Sequence, residues 1–216
     1  MNRQHFILRV GAALFVGLSG GLGTGAVLAQ TAPTILVLGD SLSAEYGLKR
    51  GEGWVALLEK RLAQEKIAAR VVNASVSGET TSGGRSRLPA LLKQHQPTHV
   101  VIELGGNDAL RGLPLANTED NLRFMTEAAQ KAGAKVLLVG MQVPPNYGGD
   151  YTKRFGDLFA KVAQARKAAV VPFFLKGVAD GPNATAMFQP DRIHPRAEAH
   201  PAMLDNVWPE LRKLLR

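Results

Sequence analysis

Short runs of pure aliphatic residues alternate with amphipathic stretches along most of this chain. No other feature constrains its fold as tightly. Ile35, Leu36, Val37 and Leu38 stand in a row and are closed by Gly39. Such a run does not suit a strand with one wet face; it suits a strand buried on both. Similar runs predict further strands at 70–73, 99–104, 135–140 and 169–175, with Pro172 marking the last as an edge. Between them, residues 52–67 predict a helix whose Trp54, Val55, Leu58 and Leu62 share one face. Helices are also predicted over 85–94, with Pro89 a blemish inside it, over 118–132, stopped by Gly133, and over 151–167. The last, 201–215, carries an apolar stripe of Met203, Leu204, Val207, Trp208, Leu211 and Leu215, with Pro209 as a possible kink. Buried strands alternating with helices imply an α/β fold, a parallel sheet covered on both faces.

In such sheets the active crevice lies beyond the carboxyl ends of the strands. The polar residues of this chain gather there. Gly39-Asp40-Ser41-Leu42-Ser43 follows the first strand, Asn73 to Gly78 the second, and Gly105-Gly106-Asn107-Asp108 the third. Asp191-Arg192-Ile193-His194-Pro195 stands near the C-terminus. Cysteine is absent from the whole chain. That removes a thiol nucleophile, an iron–sulfur cluster, a disulfide framework and any cysteine-based zinc site. A nucleophile must therefore be sought among hydroxyls.

Ser41 is expected at a strand-to-helix turn, where its Oγ projects into the crevice and local N–H groups are free. A serine hydroxyl needs a base. Downstream of the leader, His194 is the one histidine with an acid three residues before it. Asp191 can orient that imidazole from a turn. The N–H groups of Ser41 and Gly78 and the Asn107 amide would supply three donors to an oxyanion. Asp40 and Asp108 read as structural hydrogen bonders. His95 and His99 flank a helix–strand connection at the far end of the sheet and read as solvated. His200, before Pro201, reads as a cap-region residue.

These four blocks, Gly39-Asp40-Ser41-Leu42, Gly78, Gly105-Gly106-Asn107-Asp108 and Asp191-x-x-His194, resemble those of the SGNH (GDSL) hydrolases, in order. Ser43-Ala44, Tyr46-Gly47-Leu48, Arg111-Gly112 and residues 143–148 are similar to the periplasmic acyl-CoA thioesterase/protease/lysophospholipase group and its arylesterase relatives. The likeness covers nearly all of residues 30–216. It implies a flavodoxin-like three-layer α/β/α sandwich with a five-stranded sheet in the order 2-1-3-4-5. It implies Ser41 as nucleophile, His194 as base, Asp191 as its orienting partner, and Ser41, Gly78 and Asn107 as oxyanion donors. It implies no cofactor. Within this likeness Arg192 stands where a small residue is expected, and Ala109 where glycine is expected.

The expected activity is hydrolysis of a small-molecule ester or thioester through an acyl-enzyme. Aryl esters, acyl-CoA and lysophospholipids are the substrate types implied. Loops 109–114 and 144–151 should contact substrate, with Leu110, Leu113 and Tyr147 as the acyl-chain wall. Gly112, Gly148 and Gly149 would let those loops move. Two other readings stay open: a polysaccharide deacetylase with the same triad, and a non-catalytic protein that cradles an anion at a helix N-terminus formed by Gly39 to Ser43. Asp191, His194 and His200 match no common zinc spacing, so no metal is expected.

The N-terminus adds a destination. Arg3 and Arg9 precede an apolar core over 10–18, a glycine-rich tract, and Val27 and Ala29 at the −3 and −1 positions of a cleavage site. That order predicts a secretory signal peptide over 1–29 and a single domain over 30–216, periplasmic or secreted. The removed segment carries two arginines and no acid, so the net charge falls from +8 to +6. The remaining basic residues are scattered among acids and accompanied by few aromatics, which argues against nucleic acid. Transient contact with anionic lipid surfaces stays open. Oligomeric state has no signature in the sequence.

Overall fold

The computed structural model describes residues 32–216. The leader over 1–29 lies outside the described residues. Five strands build one sheet: β1 (Thr34–Gly39), β2 (Arg70–Asn73), β3 (His99–Glu103), β4 (Lys135–Val139) and β5 (Ala169–Val171). Their order is β2-β1-β3-β4-β5, and every pairing is parallel. The chain first steps from β1 out to β2 and then crosses to the other side of β1. That reversal opens a crevice at the carboxyl ends of β1 and β3. The register sets Gly39 beside Glu103 and Val37 beside Asn73, so three loops emerge together there.

Six helices cover the sheet: α1 (Trp54–Gln64), α2 (Thr81–His95), α3 (Gly106–Leu110), α4 (Leu115–Lys131), α5 (Gly149–Arg166) and α6 (His200–Leu214). Helix α1 packs against α6, and α4 packs against both α2 and α5, which gives one helical layer on each face. All six residues of β1 are buried, as its aliphatic run requires. Helix α1 buries Trp54, Val55, Leu58 and Leu62; α6 buries Met203, Leu204, Val207, Trp208 and Leu211. Each such aliphatic contributes roughly 1.5–3 kcal/mol relative to exposure. This is the expected α/β/α sandwich with the expected strand order.

Four local expectations need correction. Helix α2 begins at Thr81 rather than at 85. Thr80 caps it by accepting from the Gly83 N–H, and Gly84 lets it approach the sheet: a Cβ there would meet Leu104 at 2.4 Å and Met125 at 3.2 Å. Gly84, which lowers helix propensity, thus sits inside a helix because packing needs it. Strand β5 stops at Val171 rather than 175, because Pro172 cannot donate to a ladder. The chain then folds Phe174 into the core, fully buried. Helix α3 has no signal in the periodicity; it is a single turn after Gly105, whose φ of 119° suits glycine. Finally, His99 is not solvated. It is 5% exposed, bonds to the Leu214 carbonyl and the Thr98 hydroxyl, and burial lowers its pKa.

Candidate active site

Ser41 leaves β1 in a series of turns over 41–47 rather than in a helix. Helix α1 starts only at Trp54. The turn is held by Ser43 and Ala44 N–H groups donating to the Asp40 carbonyl, and by Asp40 Oδ1 accepting from Leu42 N–H at 3.0 Å. The turn that carries Ser41 therefore does not open a helix. The same observation removes the helix N-terminus on which the anion-cradle reading depended.

The loop that carries His194 is closed by a bridge between Phe188 and Pro195. Asp191 organises it. Its Oδ1 accepts from the N–H groups of Ile193 (2.9 Å) and His194 (3.0 Å), and its Oδ2 lies 2.7 Å from His194 Nδ1. Partial desolvation pushes the Asp191 carboxyl upward, but these three bonds and the imidazole charge outweigh it and hold it at about 2. The carboxylate is thus ionised where it can fix the imidazole tautomer. His194 Nε2 lies 2.9 Å from Ser41 Oγ. The two residues are 153 positions apart. The Tyr46 ring rests against the imidazole at 4.2 Å.

Asn107 stands between the Ser41 loop and the Gly78 loop. Its Nδ2 donates to Asp40 Oδ2 and to the Glu79 carbonyl, both at 3.0 Å. It thereby touches the neighbour of Ser41 and the neighbour of Gly78. Among the described residues, neither the Ser41 N–H nor the Gly78 N–H donates a hydrogen bond. Gly78 has φ 78°, a backbone state glycine adopts freely, and its carbonyl accepts from Arg111 at 2.9 Å. Arg87 holds the start of the same loop by donating to the Ala74 carbonyl and pairing with Glu79.

Beneath Ser41 lies a pair of buried carboxyls. Glu103 ends β3 and is 2% exposed; its Oε2 accepts from Ser43 Oγ at 2.7 Å and from Asp40 N–H at 3.3 Å. Ser43 Oγ in turn accepts from Trp54 Nε1 at 3.0 Å. Burial, and then the nearby Asp40 carboxyl, push Glu103 well above the ordinary glutamate range, in favour of its neutral form. Burial raises Asp40 to about 6, against the pull of the Leu42 N–H, the His194 charge and the Asn107 amide. Asp40 is thus structural, as expected. So is Asp108, which accepts from Thr81 N–H, Thr81 Oγ1 and Thr118 Oγ1.

His200 opens α6 and is 2% exposed. Its Nδ1 accepts from the Trp54 N–H at 3.0 Å, capping α1 across the fold. Burial lowers its pKa to about 4, so it stays neutral and keeps that lone pair. Among the described residues, no three of His, Asp and Glu converge as a metal site.

The wall residues are unequal. Leu110 (43% exposed) and Tyr147 (38%) face outward, while Leu113 is half-buried. A surface cleft lined by Glu127, Gln130, Lys131 and Arg166 opens between α4 and α5; none of Ser41, Gly78, Asn107, Asp191 and His194 lines it. Residue Arg192 sits at φ 58°, a left-handed state that favours glycine, which accounts for the small residue expected there. Ala109 is fully buried in α3.

Sequence reasoning overlooked Glu103 and Gln189 as supports, while His200, expected as a cap-region residue, does cap a helix, though that helix is α1. An acid ending an otherwise aliphatic strand was a usable signal for Glu103. Gln189 had none: its amide reaches the Tyr46 carbonyl, 143 positions away, at 2.9 Å and the Pro195 carbonyl at 3.1 Å.

Residues 37–202 match the GDSL-like lipase/acylhydrolase family. Esterase TesA of Pseudomonas aeruginosa is 54% identical over 184 residues, covering 85% of this chain and 90% of that one. Thioesterase 1/protease 1/lysophospholipase L1 of Escherichia coli K12 is 42% identical over 187 residues, 87% of each. The crystal structure of TesA superposes with a TM-score of 0.80 at 54% identity, covering 84% of this chain and 99% of that one.

Proposed function

The chain belongs to the GDSL-like lipase/acylhydrolase family, and from that membership we propose a serine esterase that works through Ser41, His194 and Asp191. Ser41 Oγ attacks an ester or thioester carbonyl while His194 Nε2 takes its proton. The tetrahedral oxyanion is bound by the Ser41 and Gly78 N–H groups and the Asn107 amide, which exchanges one of its present acceptors for it. The imidazolium protonates the departing alcohol or thiol. Water, deprotonated by the same nitrogen, then releases the acid and regenerates Ser41.

One observation carries this reading: Asp191 Oδ2, the His194 ring and Ser41 Oγ form a continuous relay with steps of 2.7 and 2.9 Å. The Ser41 and Gly78 N–H groups, which donate no hydrogen bond among the described residues, support the oxyanion role given to them. The relatives' names supply the substrate range, an esterase and a thioesterase/lysophospholipase. Leu110, Leu113 and Tyr147 would receive the acyl chain. Gly112 (φ 65°) and Gly148 (φ 93°) give those loops freedom to close on it. Cleavage after Ala29 would release residues 30–216 to the periplasm or beyond. Among the described residues, no helix is long and apolar enough to cross a membrane.

The test is hydrolysis of p-nitrophenyl butyrate by wild type and by Ser41→Ala. The variant should lose about 10⁴-fold or more in kcat. Equal activity in the two would exclude the assignment of Ser41.

A further inference from the structure

Gln189 reaches out of the loop that carries His194 and takes hold of the turn that carries Ser41. Its Nε2 donates to the Tyr46 carbonyl at 2.9 Å and to the Pro195 carbonyl at 3.1 Å. One acceptor therefore lies in the Ser41 turn and the other directly after His194. The main chain of Gln189 is fixed as well. Its N–H donates to the His194 carbonyl at 2.8 Å, and its carbonyl accepts from the Arg192 N–H at 2.9 Å. Gly47 makes room for the amide: a Cβ there would meet Gln189 Oε1 at 2.1 Å, and its φ is 71°, a state glycine adopts freely. Tyr46 carries the contact onward. The residue whose carbonyl is held also rests its ring on the His194 imidazole at 4.2 Å.

Among the described residues, one other hydrogen bond joins residues 40–48 to residues 187–196, that between His194 Nε2 and Ser41 Oγ at 2.9 Å. In the proposed reaction that bond does not last. Once Ser41 Oγ carries the acyl group, it has no proton to offer His194. The imidazole must still stand where it can deprotonate water for the second half-reaction. Asp191 keeps the ring oriented, but Asp191 belongs to the same loop and moves with it. The hydrogen bond that still spans the two segments is the one from Gln189.

We propose that Gln189 is a positioning residue for deacylation: its side-chain amide clamps the Ser41 turn to the His194 loop while the acyl-enzyme lacks a serine–histidine bond. The proposal rests on the esterase reading and separates its two half-reactions. In the free enzyme the Ser41–His194 bond supplements the clamp, so acylation tolerates loss of the amide. In the acyl-enzyme no other hydrogen bond between the two segments replaces it.

The test is stopped-flow hydrolysis of p-nitrophenyl butyrate by wild type, by Gln189→Met and by Gln189→Glu. Methionine has the length of glutamine without a donor. Glutamate has its shape but turns oxygen toward both carbonyls. In each variant kcat should fall about tenfold, as expected for a reacting group held loosely. KM should fall with it, kcat/KM should stay within about twofold, and p-nitrophenol should appear in a burst of about one equivalent of enzyme. Urea midpoints should stay close to that of wild type. Hydrogen exchange of a peptide spanning 188–196 should quicken about tenfold in both variants. Kinetics or exchange matching wild type, a kcat/KM that falls as far as kcat, or a loss of activity that follows a loss of folded protein overturns the proposal. A wild type that hydrolyses no ester would sink the esterase reading and the deacylation role with it, and quickened exchange in the variants would then leave the clamp itself standing.

Discussion

The loop that carries Ser41 and the loop that carries His194 reach the same site by opposite means. The serine loop is tied to the core over long sequence distances. Ser43 bonds Glu103, 60 positions away, and Trp54; Asn73 donates to the Ser43 carbonyl at 2.7 Å. The histidine loop is tied mostly to itself, through Asp191 to Ile193 and His194, and through Gln189 N–H to the His194 carbonyl. Ser41 is thus placed by the fold's interior, and His194 by a surface turn. Damage to the first should cost stability and activity together. Damage to the second should cost activity alone.

The largest effect comes from Asp191→Asn. Asparagine keeps the Oδ1 acceptor for both N–H groups, so the turn persists. It puts an amide where Nδ1–H needs an acceptor, so the wrong tautomer is favoured. We expect kcat to fall about 10³- to 10⁴-fold with the urea midpoint little changed. A large loss of stability would show that the turn also supports the fold, and would break the contrast.

Glu103→Leu should do the reverse. It removes the acceptor of both the Ser43 hydroxyl and the Asp40 N–H in a fully buried place. Two donors left unsatisfied should cost about 2–4 kcal/mol in urea unfolding, with activity falling as Ser41 loses its support. Glu103→Gln retains an acceptor and should recover most of both. Unchanged stability in the leucine variant would deny that the buried pair anchors the nucleophile.

His200 joins the two regions, since it follows the histidine loop and caps α1 at Trp54, which in turn holds Ser43. Its folded-state pKa, about 4, lies below the ordinary 6.5, so the folded state favours the neutral ring. The stabilisation is full above pH 6.5 and is lost as pH falls toward 4. Its upper limit is on the order of 3 kcal/mol. His200→Gln, which offers an acceptor that does not titrate, should flatten the pH dependence of unfolding between those values. An unaltered slope would assign the acid sensitivity elsewhere. Asp191 titrates lower: its stabilisation is present above about pH 4 and fades as pH falls toward 2.

Much of this molecule was legible in one dimension because burial leaves periodic marks. The aliphatic run at 35–38 had to be a doubly buried strand, and the stripe from Trp54 to Leu62 had to be a helix on a core. Failures cluster where local signals compete with packing. Gly84 opposes a helix by propensity, yet it lets α2 approach Leu38 and Leu104. His99 reads as polar, yet a carbonyl at the end of α6 satisfies it inside. The turn after Ser41 reads as a helix start, since nothing in Ser-Leu-Ser-Ala announces that the helix waits until Trp54.

The sequence by itself determined the α/β class, the strand ends at which polar residues collect, and the placing of Asp191 three residues before His194. Those follow from residue type and short spacing, because hydrophobic periodicity and an i, i+3 acid–imidazole pair are local matters. Only the tertiary structure decided that Ser41 and His194 meet at 2.9 Å and that Glu103 and Asp40 are buried side by side. Proximity across 60 to 153 residues depends on how strands are ordered and registered in the sheet, and a pKa depends on who the neighbours then are.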